Sequence, residues 1–133
     1  MAWEKLAPRE RPLYDSKSYI MFSSTQIVFS AKFLRESDVQ YLRLTGEKIY
    51  INVYVDKTAK KIGFEFVLEF NSSYSNLLHF QKYGWTGYIS IYRLIKQYPE
   101  LKDITLSLQP NSRKFAPVKE GNLWVIDLSR YWR

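Results

Sequence analysis

Cysteine is absent from this 133-residue chain. That excludes disulfides, thiolate nucleophiles and zinc sites built on sulfur. Histidine occurs once, at His79, so metal sites of paired imidazoles are excluded and a catalytic triad would have to pass through that one residue. Within the segment NLLHFQ it sits beside apolar neighbours and reads as a packed or solvated side chain. The five glycines form neither Gly-x-Gly-x-x-Gly nor Gly-x-x-x-x-Gly-Lys, so the familiar phosphate-cradling loops are missing. No apolar run approaches the length of a membrane span, and the opening MAWEKL lacks the apolar stretch of a signal peptide. The expectation is a cytoplasmic protein with no membrane contact. Glu65 and Glu69, four apart on one predicted strand face, read as solvated, because catalytic carboxylate pairs need environments that drive their pKa values apart. An enzyme is not expected, nor a metal, a cofactor or an identifiable small-molecule substrate.

What the chain has in quantity is aromatic and basic side chains. Aromatic residues make up 17% of it, as 11 Tyr, 8 Phe and 4 Trp. Tyr and Trp exceed what a core needs, since their polar atoms require partners when buried, and some of them belong on the surface. The formal net charge is +7 with a pI near 9.5, which favours anionic partners. The excess is uneven: acids and bases balance over residues 46–70, whereas residues 104–133 carry Arg113, Lys114, Lys119, Arg130 and Arg133 against only Glu120 and Asp127. Absent cysteine with abundant Lys, Ile and Tyr is also a compositional lean of proteins from hot habitats.

The length suits one domain, with residues 1–17 as an extended arm and residues 18–133 as the globular part. Trp3 and Leu6 are candidates to pin the arm to the body. SYIMFSS and QIVFS read as short strands. Ser30 is placed to cap a short helix in AKFLRES, its hydroxyl accepting an orphan amide. The strongest local signal runs over residues 48–70, where Ile49, Ile51, Val53 and Val55 alternate with Tyr50, Asn52 and Tyr54. After a turn at 56–60, Ile62, Phe64, Phe66, Leu68 and Phe70 repeat the alternation, which predicts a β-hairpin with one buried face. Residues 71–87 read as a connecting loop. Ile91, Leu94, Ile95 and Tyr98 have the spacing of an amphipathic helix, with Ser90 as candidate cap and Pro99 as stop. ITLSLQP then predicts a strand, NSRKFAPVKEG a basic loop, and NLWVIDLS a last strand. The expected fold is α+β, antiparallel β-hairpins with two short helices. FSAKFL and ISIYRL align at a 60-residue offset, which suggests pseudo-repeats of a β-α-β-β unit over 18–70 and 86–133.

QIVFSAKFLRESDVQ followed by YINVYVDKTAKKIGFEF resembles the strand, short helix and hairpin layout of AbrB-type swapped-hairpin DNA-binding domains, which MraZ-like proteins carry twice. It departs from them in lacking a glycine between helix and hairpin and in having few basic residues in the first hairpin. GNLWVIDLSRYW is similar, over 12 residues, to a strand of PC4-like single-strand-binding proteins, without the helix that follows their sheet. The MAWEKL opening also resembles that of small uncharacterised bacterial proteins and carries no chemistry. Both DNA-binding resemblances imply a homodimer.

Single-stranded nucleic acid is held by rings that stack on bases and cations that follow the backbone. Three clusters interleave the two: Tyr50, Tyr54 and Lys61 on the outward face of the hairpin; Lys82, Tyr83, Trp85, Tyr88, Tyr92 and Arg93 at the loop-to-helix junction; and Arg113, Lys114, Phe115 and Lys119 joined by Arg130, Tyr131, Trp132 and Arg133. In that reading Tyr50, Tyr54, Trp85, Tyr92 and Trp132 stack, while Lys61, Lys82, Arg93, Arg113, Lys114 and Arg130 neutralise phosphates. The expectation is a non-catalytic nucleic-acid-binding protein, with single strands ahead of duplex DNA. The alternatives are an AbrB-like duplex-DNA regulator and a protein-interaction module whose exposed aromatics form an interface.

Overall fold

The computed structural model describes residues 2–4, 6, 17–71, 73–81, 86–107 and 113–132. In chain order the elements are strands β1 (Ile20–Phe22) and β2 (Gln26–Phe29), helices α1 (Ala31–Glu36) and α2 (Val39–Leu44), and strands β3 (Tyr50–Asp56), β4 (Lys61–Val67), β5 (Ser75–Leu77), β6 (His79–Phe80) and β7 (Gly87–Ser90). Helices α3 (Tyr92–Gln97) and α4 (Glu100–Ser107) follow, and then strands β8 (Lys114–Phe115), β9 (Val118–Glu120) and β10 (Leu123–Asp127). The fold is α+β.

The strands form two antiparallel sheets. Sheet A has the order β6-β7-β2-β1-β8 and sheet B the order β5-β3-β4-β10-β9. A run of two strands, two helices and a hairpin occurs twice, as β1 to β4 and as β6 to β10 with β8 inserted. At the centre of sheet A, β2 pairs with β7, Val28 opposite Tyr88; in sheet B, β4 pairs with β10, Gly63 opposite Val125. Each sheet therefore joins, at its middle, strands that hold corresponding places in the two runs.

The 48–70 hairpin forms as its alternation predicts, with Tyr50 opposite Val67 and Asp56 opposite Lys61. Its inward side chains Ile51, Ile62 and Phe64 are fully buried. The turn is held by the Asp56 carboxylate, which accepts from the Ala59 amide at 2.9 Å, and Lys60 takes a positive φ of 59°. Leu68 and Phe70 fall beyond β4 and are exposed. Phe29 joins the two sheets: its ring meets Phe33, Phe64 and Phe66 edge-on at centroid separations of 6.1, 5.4 and 6.0 Å.

Helix α1 starts where its cap predicts. Buried Ser30 accepts from the Phe33 amide at 3.2 Å and from the Tyr19 amide at 2.9 Å, so one hydroxyl ties the helix start to the approach of β1. Helix α2 has no counterpart in the sequence reading. The chain turns at Asp38, φ 63°, and Val39 then packs into the core. Before α3 the Ser90 hydroxyl accepts from the Tyr92 amide at 3.2 Å.

Several expectations are corrected. The described part of ITLSLQP, residues 104–107, is helical within α4. Glu100 and Asp103 lie in the first turn, where acids favour a helix start, and fully buried Leu101 anchors it, which outweighs the strand propensity of Ile and Thr. Residues 71–87 are not all loop, because β5 and β6 find open edges on β3 and β7. The basic loop contains β8, paired with β1, and β9, paired with β10 through the two-residue turn at 121–122. Gly121 has φ 60° there, as the first central position of a type II′ hairpin turn requires. Trp3 and Leu6, read as pins for the arm, are 88% and 91% exposed; residues 1, 5 and 7–16 of the arm lie outside the described residues. Among the described residues no helix is long and apolar enough to cross a membrane.

Candidate nucleic-acid interface

The outward face of sheet B carries the first cluster. Tyr50 is half-buried, with Phe70 against its ring at 5.3 Å, and Tyr54 is exposed. Tyr50, Asn52 and Tyr54 share this face with Val67 and Leu77, which lie opposite Tyr50 on the flanking strands. The Tyr54 hydroxyl donates to Glu65 at 3.2 Å, and the Asn52 amide donates to the same carboxylate oxygen at 3.2 Å. Partial loss of hydration comes first in raising the Tyr54 phenol above its ordinary pKa, followed by the hydrogen bond and charge of Glu65. Lys61, expected to neutralise phosphate, instead reaches Glu120 at 3.6 Å, and the exposed Asp127 is its partner across to β10. A carboxylate-rich sheet face repels a polyanion, so this platform is poorly suited to nucleic acid.

The second cluster is only partly described, since Lys82 and Trp85 lie outside the described residues. Tyr92 is 72% exposed at the start of α3. Arg93 is exposed but tied to the fold, its guanidinium donating to the backbone carbonyls of Ser73 and, at 3.5 Å, Ser75. It thereby clamps the segment entering β5 onto α3.

The third cluster splits. Trp132 is 2% exposed, its ring edge-on to Tyr98 at 6.0 Å, so it belongs to the core and cannot stack on a base. The reason is local: the amides of Tyr131 and Trp132 both bond to the Leu128 carbonyl, at 2.9 and 2.8 Å, and that turn folds the indole back under the protein. The cations of this cluster, by contrast, flank one strand on its two faces. Strand β8 is the edge of sheet A, and its two residues point to opposite faces. On one face the Lys114 ammonium sits 4.5 Å from the centre of the Tyr19 ring. On the other, Phe115 meets the Tyr131 ring at 6.0 Å, and the Arg130 guanidinium lies 5.8 Å from that ring's centre. Arg113 immediately precedes the strand. Three of the expected cations thus gather around one short edge, each near a tyrosine or next to a residue that is.

No protein-family model, curated protein or solved structure matches the chain.

The β8 edge also includes two rings that sequence reasoning did not assign a stacking role, Tyr19 and Tyr131. Tyr131 stands in the string RYWR, where Trp132 drew the larger claim. For Tyr19 the available signal was the alternation of SYIMFSS, which sets Tyr19 and Met21 on one face. Its meeting with Lys114 depends on β8 docking beside β1, and nothing local encodes that.

Proposed function

We propose that this chain is a non-catalytic nucleic-acid-binding protein that holds single strands along the β8 edge of sheet A. The observation that carries the reading is the placement of Lys114 against Tyr19 on one face of that edge and of Arg130 against Tyr131 on the other, with Arg113 directly before the strand. Cations alone would serve any polyanion. Rings beside them favour unpaired bases, whose faces are open to stacking and whose backbone the cations can follow. Tyr50, Tyr54, Lys61, Arg93 and Trp132 take no part. The test is a comparison of single-stranded and duplex oligonucleotides of matched sequence by fluorescence anisotropy. Single strands should bind more tightly, and Tyr131→Ala should lose about 1–3 kcal/mol for each base it stacks. Preference for duplex, with Tyr131→Ala neutral, would favour an AbrB-like regulator instead.

A second reading concerns assembly. The sheet B face presents Tyr54, Phe70, Leu77 and Val118, between 39% and 64% exposed, and aromatic rings with aliphatic neighbours are the usual anchors of a protein interface. A homodimer through this face leaves the β8 edges on both copies available. Sedimentation equilibrium at micromolar concentration should return twice the 15.9 kDa chain mass, and Phe70→Glu should return the monomer.

A further inference from the structure

A cavity of about 290 Å³ lies where the β1–β2 turn, the junction of β7 with α3, and α4 meet. Its wall comes from Ser23, Ser24 and Thr25 on the turn, Ser90, Ile91, Tyr92 and Ile95 at the junction, and Lys102 on α4. The frame is fixed by backbone: the Ile91 amide donates to the Thr25 carbonyl at 3.1 Å, joining the turn to the junction. Within the turn, the Ser23 hydroxyl accepts from the Gln26 and Thr25 amides at 2.9 and 3.3 Å and donates to the Gln26 carbonyl at 3.1 Å. Ser23 is thus occupied in shaping the turn, while Ser24 and Thr25 are exposed beside it.

The lining has three distinct parts. Ile91, 2% exposed, and half-buried Ile95 supply an apolar floor. Tyr92 stands at the rim as a ring with a free surface, 72% exposed. The Ser24 and Thr25 hydroxyls supply donors, and Lys102 the positive charge. Mostly apolar walls with a few convergent polar groups are the usual make-up of small-molecule sites, and this volume falls just below their range of about 300–1,000 Å³. A ligand matching these parts has a planar ring to lie on Tyr92 and an anionic group, able to accept several hydrogen bonds, for Lys102 and the hydroxyls.

We infer that this cavity binds a nucleoside monophosphate, its base on Tyr92 and its phosphate toward Lys102, Ser24 and Thr25. The site shares no residue with the β8 edge, so it stands or falls independently of single-strand binding there. Calorimetric titration of the full chain with AMP tests it, with adenosine, ribose 5-phosphate and inorganic phosphate as the other arms. AMP should bind at least about tenfold more tightly than any of the three, because only AMP engages ring and cation together. Tyr92→Ala should weaken AMP by about tenfold and leave ribose 5-phosphate unchanged, and Lys102→Gln should weaken AMP while leaving adenosine unchanged. Both positions are exposed, and circular dichroism establishes that the variants fold. AMP no tighter than inorganic phosphate, no AMP binding up to about 10 mM, or AMP affinity that responds to only one of the two substitutions would each overturn the inference.

Discussion

Replacing Phe29 by Ala should be among the most damaging single changes in this chain. The ring is fully buried on β2 and meets Phe33, Phe64 and Phe66 edge-on, linking sheet A to sheet B and to α1. A buried Phe→Ala costs about 3–5 kcal/mol through lost transfer energy and the cavity left behind. Three ring pairs vanish with it, each worth about 0.5–1.5 kcal/mol beyond burial, so the upper end of that range is expected. Phe29→Leu keeps most of the volume and loses the ring edges, for about 1–2 kcal/mol. Leu44→Ala is the control, since that side chain is 71% exposed at the end of α2; it should cost less than about 0.5 kcal/mol. Urea unfolding followed by tryptophan fluorescence reads all three as midpoints at constant slope. The order Phe29→Ala, Phe29→Leu, Leu44→Ala, from most to least destabilised, is expected. Phe29→Ala and Leu44→Ala with equal midpoints would refute the account of how the two sheets are joined.

Gly87→Ala should cost about 1–3 kcal/mol by overpacking, because an added Cβ would lie 2.9 Å from Leu78 Cδ1 and 3.1 Å from Leu34 Cδ1; thermal melting checks it, and the same substitution should cost less in a Leu78→Ala background, where that contact is gone. Tyr54 predicts a pH effect. Its raised phenol pKa means that the folded state holds the proton longer than the unfolded chain, so its contribution is complete below about pH 10 and is lost as pH rises through the folded pKa. Tyr54→Phe should therefore flatten the fall in urea midpoint above about pH 10. A profile unchanged by the substitution would show that folding does not raise the Tyr54 phenol above its ordinary pKa.

Much of the fold can be read from local pattern. The period-two alternation of 48–70 marks the hairpin and its buried face, and Ser30 marks a helix start, because both depend on neighbours within a few residues. What stays hidden depends on distant partners. SNL and HF become strands only because β3 and β7 leave edges open to them, and Thr105 and Leu106 are helical because Glu100, Asp103 and buried Leu101 start a helix ahead of them. The candidate site follows the same division. Arg113, Lys114, Arg130 and Tyr131 were legible as one cluster, whereas Tyr19 was not, since it reaches Lys114 through a strand pairing across most of the chain. Trp132 reads as a surface aromatic among arginines, and only the turn at Leu128 reveals that it is core.

The salt dependence of single-strand binding tests the central claim most directly. Each phosphate neutralised on a single strand contributes about −0.7 to the slope of log affinity against log salt. Arg113, Lys114 and Arg130 together should give about −2, or roughly fifteenfold weaker binding at 200 mM than at 50 mM salt. Measured by anisotropy of a labelled single-stranded oligonucleotide, the Arg113→Ala, Lys114→Ala double variant should flatten that slope to about −0.7 for every sequence tested. An absence of binding at low salt, or a slope that the double variant leaves unchanged, would contradict the assignment of the β8 edge.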